Sequence, residues 1–225
     1  MKKLSIKKII EFKAKSKRGK KNFASDLKID KEKVKTDGGG DYWISCLSSI
    51  SSSFQTNETQ NIEDKIEELG GKHGEAEDKR IKDMYKRNID ILHNYKSFDF
   101  KKWKPSKKVA FLKKHKDDLT LTIKGLQVQI APNHVFIFSK SDEKEIGAIW
   151  FIAKLKGFKK DELGMFTDIL YRYLKTHYSK DYIINPKYCI AVDVFNNFEV
   201  NYSQLEKGEV SAILNPTLDE IKKLM

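Results

Sequence analysis

Asn133, His134, Lys154 and Asp193 are the residues whose types and settings could do chemistry. Asp193 stands in the apolar run Ala-Val-Asp-Val-Phe, where a carboxylate must be paired, exposed at an edge or functional. The plainer reading is an outward-facing acid in a hairpin. His134 invites a role as metal ligand or general base, yet no second histidine or carboxylate stands at a defined spacing from it. Cys46 and Cys189 are far apart in the chain, which implies neither a disulfide framework nor a zinc site. No G-x-S-x-G, H-E-x-x-H or C-x-x-C pattern occurs, so hydrolase triads and zinc chemistry have no support.

Charge offers a second kind of chemistry. The net charge is +12, and residues 1–36 carry 14 Lys and Arg against 4 Asp and Glu. A basic patch of this kind raises association with phosphate backbones or acidic protein surfaces. Lys7, Lys8, Lys13, Lys15, Lys17, Arg18, Lys20 and Lys21 are the candidate contacts to a DNA or RNA backbone. Lysines alone give affinity without sequence readout, and a solvated basic surface remains the bland alternative.

The elements that must position these residues follow from periodicity. Residues 4–12 predict a helix with Ser5 as N-cap, followed by a basic arm in which Phe23 and Leu27 dock a short helical turn. Gly38–Gly40 reads as a hinge, with Asp41 capping a helix through Trp43, Leu47, Ile50 and Phe54. Those glycines lack the Lys-Ser/Thr pair of a phosphate loop. Residues 51–60 read as a polar break, 61–71 as a helix stopped by Gly70 and Gly71, and 76–95 as an amphipathic helix. Phe98, Phe100 and Trp103 form an aromatic knot better explained by packing than by base stacking. A short basic helix is expected over 105–115, starting at Pro105.

Residues 119–124, then QVQIAPNHVFIF and IGAIWFIAKL, read as strands, the last two separated by the charged turn SDEKE. A helix over 159–179, a covered strand over 188–195, a hairpin into 198–202 and a terminal helix capped at Thr217 complete the chain. No window approaches the ~20 apolar residues of a membrane span. The basic start is followed by an apolar run too short for a signal peptide, so a cytoplasmic, reducing compartment is expected.

From residue 76 the order is helix, three strands, helix, strand. This series resembles the core of the PD-(D/E)XK nuclease superfamily, which includes RecB-type and Cas4-like nucleases, over roughly residues 76–195. The resemblance implies a divalent-metal site built from an Asp closing the second strand and a Glu and Lys on the third. There the carboxylates hold Mg²⁺ on a phosphate oxygen and the Lys orients water. Here Pro132-Asn133 stands in place of Pro-Asp, and Ile152-Ala153-Lys154 in place of Glu-x-Lys. The Lys is kept and both carboxylates are lost, which implies a relic site with no metal. Glu145, at a turn, and Asp193 are the nearby acids that could compensate. The segments GLQVQIAPNHVF, IGAIWFIAK and YCIAVDVF also resemble bacterial proteins of mobile elements and phage defence.

The expected fold is α+β: a basic N-terminal arm (1–37), a helical layer and linker (38–75), and a PD-(D/E)XK-like core with a C-terminal hairpin and helix (76–225). The leading functional expectation is a non-catalytic, nucleic-acid-associated or scaffolding subunit of a defence or mobile-element system, working beside another protein and without a cofactor. The alternatives are an Mg²⁺-dependent nuclease with a rearranged site and a protein–protein adaptor.

Overall fold

The computed structural model describes residues 2–28, 42–105, 108–112, 119–140 and 143–225. The hinge glycines and Asp41 lie outside them. The fold is mixed α+β, with helices dominating the N-terminal half. In order, the elements are β1 (Leu4–Ser5), α1 (Ile6–Lys13), α2 (Lys17–Lys28), α3 (Ile44–Thr56), α4 (Gln60–Glu75) and α5 (Lys79–His93). Then come β2 (Ala110–Phe111), β3 (Thr120–Ile123), β4 (Leu126–Gln129), β5 (His134–Lys140) and β6 (Glu143–Ile152). The chain closes with α6 (Lys160–Tyr178), β7 (Ile183–Asp193), β8 (Phe198–Asn201), α7 (Tyr202–Glu206) and α8 (Leu214–Leu224).

The larger sheet runs β2-β5-β6-β7-β8. β5 and β6 form an antiparallel hairpin, α6 crosses over, and β7 returns parallel to β6. A small sheet, β1-β4-β3, stands apart. The run QVQIAPNHVFIF is therefore two strands in two sheets. Pro132 lacks the N–H that the ladder needs, so β4 ends before it. Asn133 then opens the next ladder by donating its N–H to the Ile149 carbonyl at 2.9 Å. The β3–β4 turn places Lys124 and Gly125 at φ 53° and 81°, the conformation of a tight type I′ hairpin.

Alternation along β6 and β7 divides the core in two. Ile146, Ala148, Ile152, Cys189 and Ala191 face α1, α6, α8 and the small sheet. Ile149, Phe151, Ile190 and Val192 face α3, α4, α5 and the aromatic knot. The knot is core: Phe100 and Trp103 are buried, and Trp103 packs on Phe98 and Phe151.

Several expectations change. Residues 2–28 are no loose arm, because Ile6, Ile9, Ile10, Phe12, Ala24 and Leu27 are buried and Leu4 pairs with Val128. Ser5 does cap α1, accepting the Lys8 N–H at 3.4 Å. Helix α3 runs through the serines to Thr56, and α4 continues past Gly70 and Gly71 to Glu75. Buried Ile62 and Leu69 anchor α4, and Glu68 pairs with both Lys65 and Lys72 along its face. In the stretch expected as a helix from Pro105, Ala110 and Phe111 instead form an edge strand on β5, and Leu112 donates to the Val135 carbonyl at 2.9 Å. Helix α8 starts at Leu214. Thr217 is inside it, its hydroxyl donating to the Ile213 carbonyl at 2.7 Å.

Candidate functional site

Asn133 lies between the end of β4 and the start of β5, across from the C-terminal part of β6. Its Oδ1 accepts the N–H of Phe151 at 2.7 Å. The amide thus completes the edge of the ladder where Pro132 interrupts it. An acceptor oxygen spent on a backbone N–H is a poor start for a metal site.

Lys154 follows β6 by two residues. Alternation puts it on the same face as Ile152, the face covered by α6. Its Nζ lies 3.1 Å from Glu162 Oε2 and over the ring of Phe158 at 4.7 Å. Glu162 also accepts the N–H of Lys159 at 3.0 Å, so one carboxylate both caps α6 and neutralises the lysine. Lys154 belongs to a cavity of about 450 Å³ that also carries Lys7, Glu11, Arg87 and Glu162 above Trp43 and Phe158. Asn133 lines a different, less charged groove with Trp150, Ile152 and Phe166. Asn133 and Lys154 thus line two different spaces. Lys7 borders both spaces.

Ile152, where the sequence resemblance implies a Glu, is 2% exposed and packed in the α6-side core. Glu145 is no turn residue. It is the third residue of β6, buried, and accepts a hydrogen bond from the Asn185 side chain.

Asp193 is fully buried at the end of β7, neither outward-facing nor at a sheet edge. Its carboxylate accepts the N–H groups of Phe158 at 2.9 Å and Phe195 at 3.1 Å, and the Asn196 amide at 3.0 Å. Burial pushes its carboxyl above the ordinary carboxylate range, while these donors pull the other way. The strand-end acid therefore organises two loops, the one entering α6 and the one entering β8. Gly157 lies against it with φ 72°, and a Cβ there would collide with Asp193 and Asn196.

His134 is also committed. Its Nε2 is 2.9 Å from the Ser51 carbonyl oxygen and 2.8 Å from the Ser51 hydroxyl. Nε2 donates to the carbonyl in one tautomer and accepts from the hydroxyl in the other. The ring packs against Phe54 and Phe111 and ties β5 to α3. Helix α3 takes its N-terminal cap from another helix: Asn88 of α5, buried, accepts the Cys46 N–H at 3.1 Å through Oδ1. Its amide donates to the Tyr42 and Met84 carbonyls, both at 2.9 Å. Nothing in the spacing of Asn88 from Cys46 signalled this.

The basic residues divide by environment. Lys13 pairs with Asp161 at 3.4 Å and Lys20 with Glu220 at 2.8 Å, while Lys7 borders the Lys154 cavity. Lys8, Lys15, Lys17, Arg18 and Lys21 are exposed on α1, α2 and the turn between them, with no ion pair among the described residues. Rigid helices therefore fix these cations in place. Glu162 and Arg87 were not predicted at the site. A Glu three residues after Lys159 is a capping-box spacing, and it was the available signal for Glu162.

No group of three His, Cys, Asp or Glu side chains placed to hold a metal occurs among the described residues. No helix among them is long and apolar enough to cross a membrane. No family model, curated protein or solved structure matches the chain.

Proposed function

We propose that this protein is a non-catalytic subunit that associates with a nucleic-acid phosphate backbone. The observation that carries this reading is the exposed α1–α2 surface, where Lys8, Lys15, Lys17, Arg18 and Lys21 stand without acid partners among the described residues. Lysine-rich surfaces on a folded support give sequence-independent affinity. The chemistry of the nuclease-like positions favours binding over cleavage: Asn133 is spent on Phe151, Ile152 is core, and Lys154 is neutralised by Glu162. The assignment to a defence or mobile-element system rests on the sequence resemblance alone.

The test is binding of a labelled duplex and a labelled single strand across a range of salt concentrations. Binding should weaken steeply with salt. Changing these five exposed cations to Gln together should lower the slope by up to about 4.5 on duplex. Substitution replaces truncation here, because removing the segment would also remove Ile9 and Phe12 from the core. Absence of binding at low ionic strength, or an unchanged slope, would favour the protein–protein adaptor. Metal-dependent cleavage lost in Lys154→Ala would favour the nuclease.

A further inference from the structure

Beyond the end of α3 lies a cavity of about 420 Å³, lined by Gln55, Asn57, Lys101, Lys104, Lys108 and Phe111, among others. Its described lining holds three lysines and no carboxylate. We infer that this cavity is a phosphate-binding site, with Lys104 as its central cation.

Its construction differs from a scatter of surface lysines. Lys101 and Lys104 sit on and just after a 3-10 turn over Phe100–Trp103, and that turn is fixed by the buried rings of Phe100 and Trp103. Lys104 is half-buried. Its Nζ donates to Asn57 Oδ1 at 2.7 Å and lies 4.7 Å from the Phe54 ring centre and 5.6 Å from that of Phe111. Asn57 is held at φ 63° as the C-terminal cap of α3. The ammonium is thus positioned by a neutral amide and two aromatic faces, with no acid partner among the described residues. Neighbouring Lys102 already has an acid, Glu199 at 2.6 Å. Among the described residues, the charged groups facing Lys104 in the cavity are Lys101 and Lys108, and the other lining residues are neutral. Burial brings the Lys104 amine down to about 8, as expected of a cation desolvated without a counter-charge. An anion in the cavity supplies that counter-charge, and the amide N–H groups of Gln55 and Asn57 can donate beside it. Phe111 offers a ring edge for an attached base.

This site is separate from the α1–α2 surface and belongs to the opposite core of the larger sheet. Its test is kept independent by using protein in which the five α1–α2 cations are already Gln. Sulfate and hexathymidylate serve as probes, since neither changes charge between about pH 6 and 9. The lysine Cε signals are followed by NMR as pH is varied. Lys104 should titrate near 8 without ligand, and either probe should raise that value.

Saturation by hexathymidylate at concentrations where sulfate has no effect identifies a nucleic-acid backbone. Equal saturation by both identifies a free anion, and both results support the site. Lys104→Gln and, separately, the exposed Lys108→Gln should each weaken binding by roughly tenfold. Lys108→Gln keeps the test decisive if the half-buried substitution harms folding. A Lys104 titration unmoved by either probe, or binding unchanged in Lys108→Gln, overturns the inference.

Discussion

The side chain of Asn133 and the backbone of Phe151 form one hydrogen-bonded unit: Oδ1 accepts the Phe151 N–H at 2.7 Å where the β5–β6 hairpin opens. The side-chain amide thus gives the Phe151 N–H the acceptor it needs at the end of the ladder. Carboxylates at the nuclease-like positions would therefore enter very different environments at 133 and at 152.

Asn133→Ala should cost about 1–3 kcal/mol, because the Phe151 N–H loses its acceptor. Asn133→Asp keeps an acceptor and should be much milder. Ile152→Glu places a charge in a core position that is 2% exposed and should cost about 3–5 kcal/mol. Chemical denaturation of the three variants checks the order. An Ile152→Glu protein as stable as the parent would contradict the packing described.

Lys154 and Glu162 should be unequal partners. Their ion pair is open to solvent on the lysine side, which is 43% exposed against 16% for the glutamate. Lys154→Ala should cost below about 1 kcal/mol. Glu162→Ala also removes the acceptor of the Lys159 N–H and should cost about 1–2 kcal/mol. A double-mutant cycle measured by urea unfolding separates the pair from the cap.

Asp193→Ala should be among the most damaging single changes, about 3 kcal/mol, since it strands the Phe158 and Phe195 N–H groups and the Asn196 amide. The pH dependence of the native residue has a definite sign. Its carboxyl is raised by burial, so the folded protein holds the proton more tightly than the unfolded chain does. This site's contribution to stability therefore falls as pH rises from the unfolded value to the raised folded value, and is level outside that window. Melting temperatures of parent and Asp193→Asn, compared from about pH 3 to 8, should show the parent losing ground within the window. A constant difference would refute the shift.

Glycine substitutions should have opposite signs in two places. Gly157→Ala forces a Cβ into Asp193 and Asn196 at φ 72° and should destabilise by more than about 2 kcal/mol. Gly70→Ala sits in a helix interior with nothing within 4 Å of the new carbon, and should stabilise by about 0.5–1 kcal/mol. Thermal unfolding of both variants is sufficient to check this.

Local patterns were readable where one element buried one face. The Ser5 cap, the stripe of the helix before the knot and the crossover helix α6 all follow from residue types. Long-range pairing was not readable. Burial of Ile6 and Phe12 depends on Leu4 joining β4, and no spacing within the first 28 residues reveals a partner at Val128. The helix over 4–12 and the docking of Phe23 and Leu27 were readable, but the strand they pack beside was not. At the candidate site the residue types were visible, but their partners were not. Asn133, His134 and Asp193 read equally well as ligands or braces until Phe151, Ser51 and Phe158 are seen beside them.

The pairing of Leu4 with Val128 bears on how the chain is made. At roughly 5–20 residues per second, a ribosome needs roughly 6–25 s to pass from one strand to the other. For most of that interval Ile6, Ile9, Ile10 and Phe12 have been made while the β-strand that anchors them does not yet exist. Slowing translation before residue 128 therefore lengthens the time these residues wait for their partner strand.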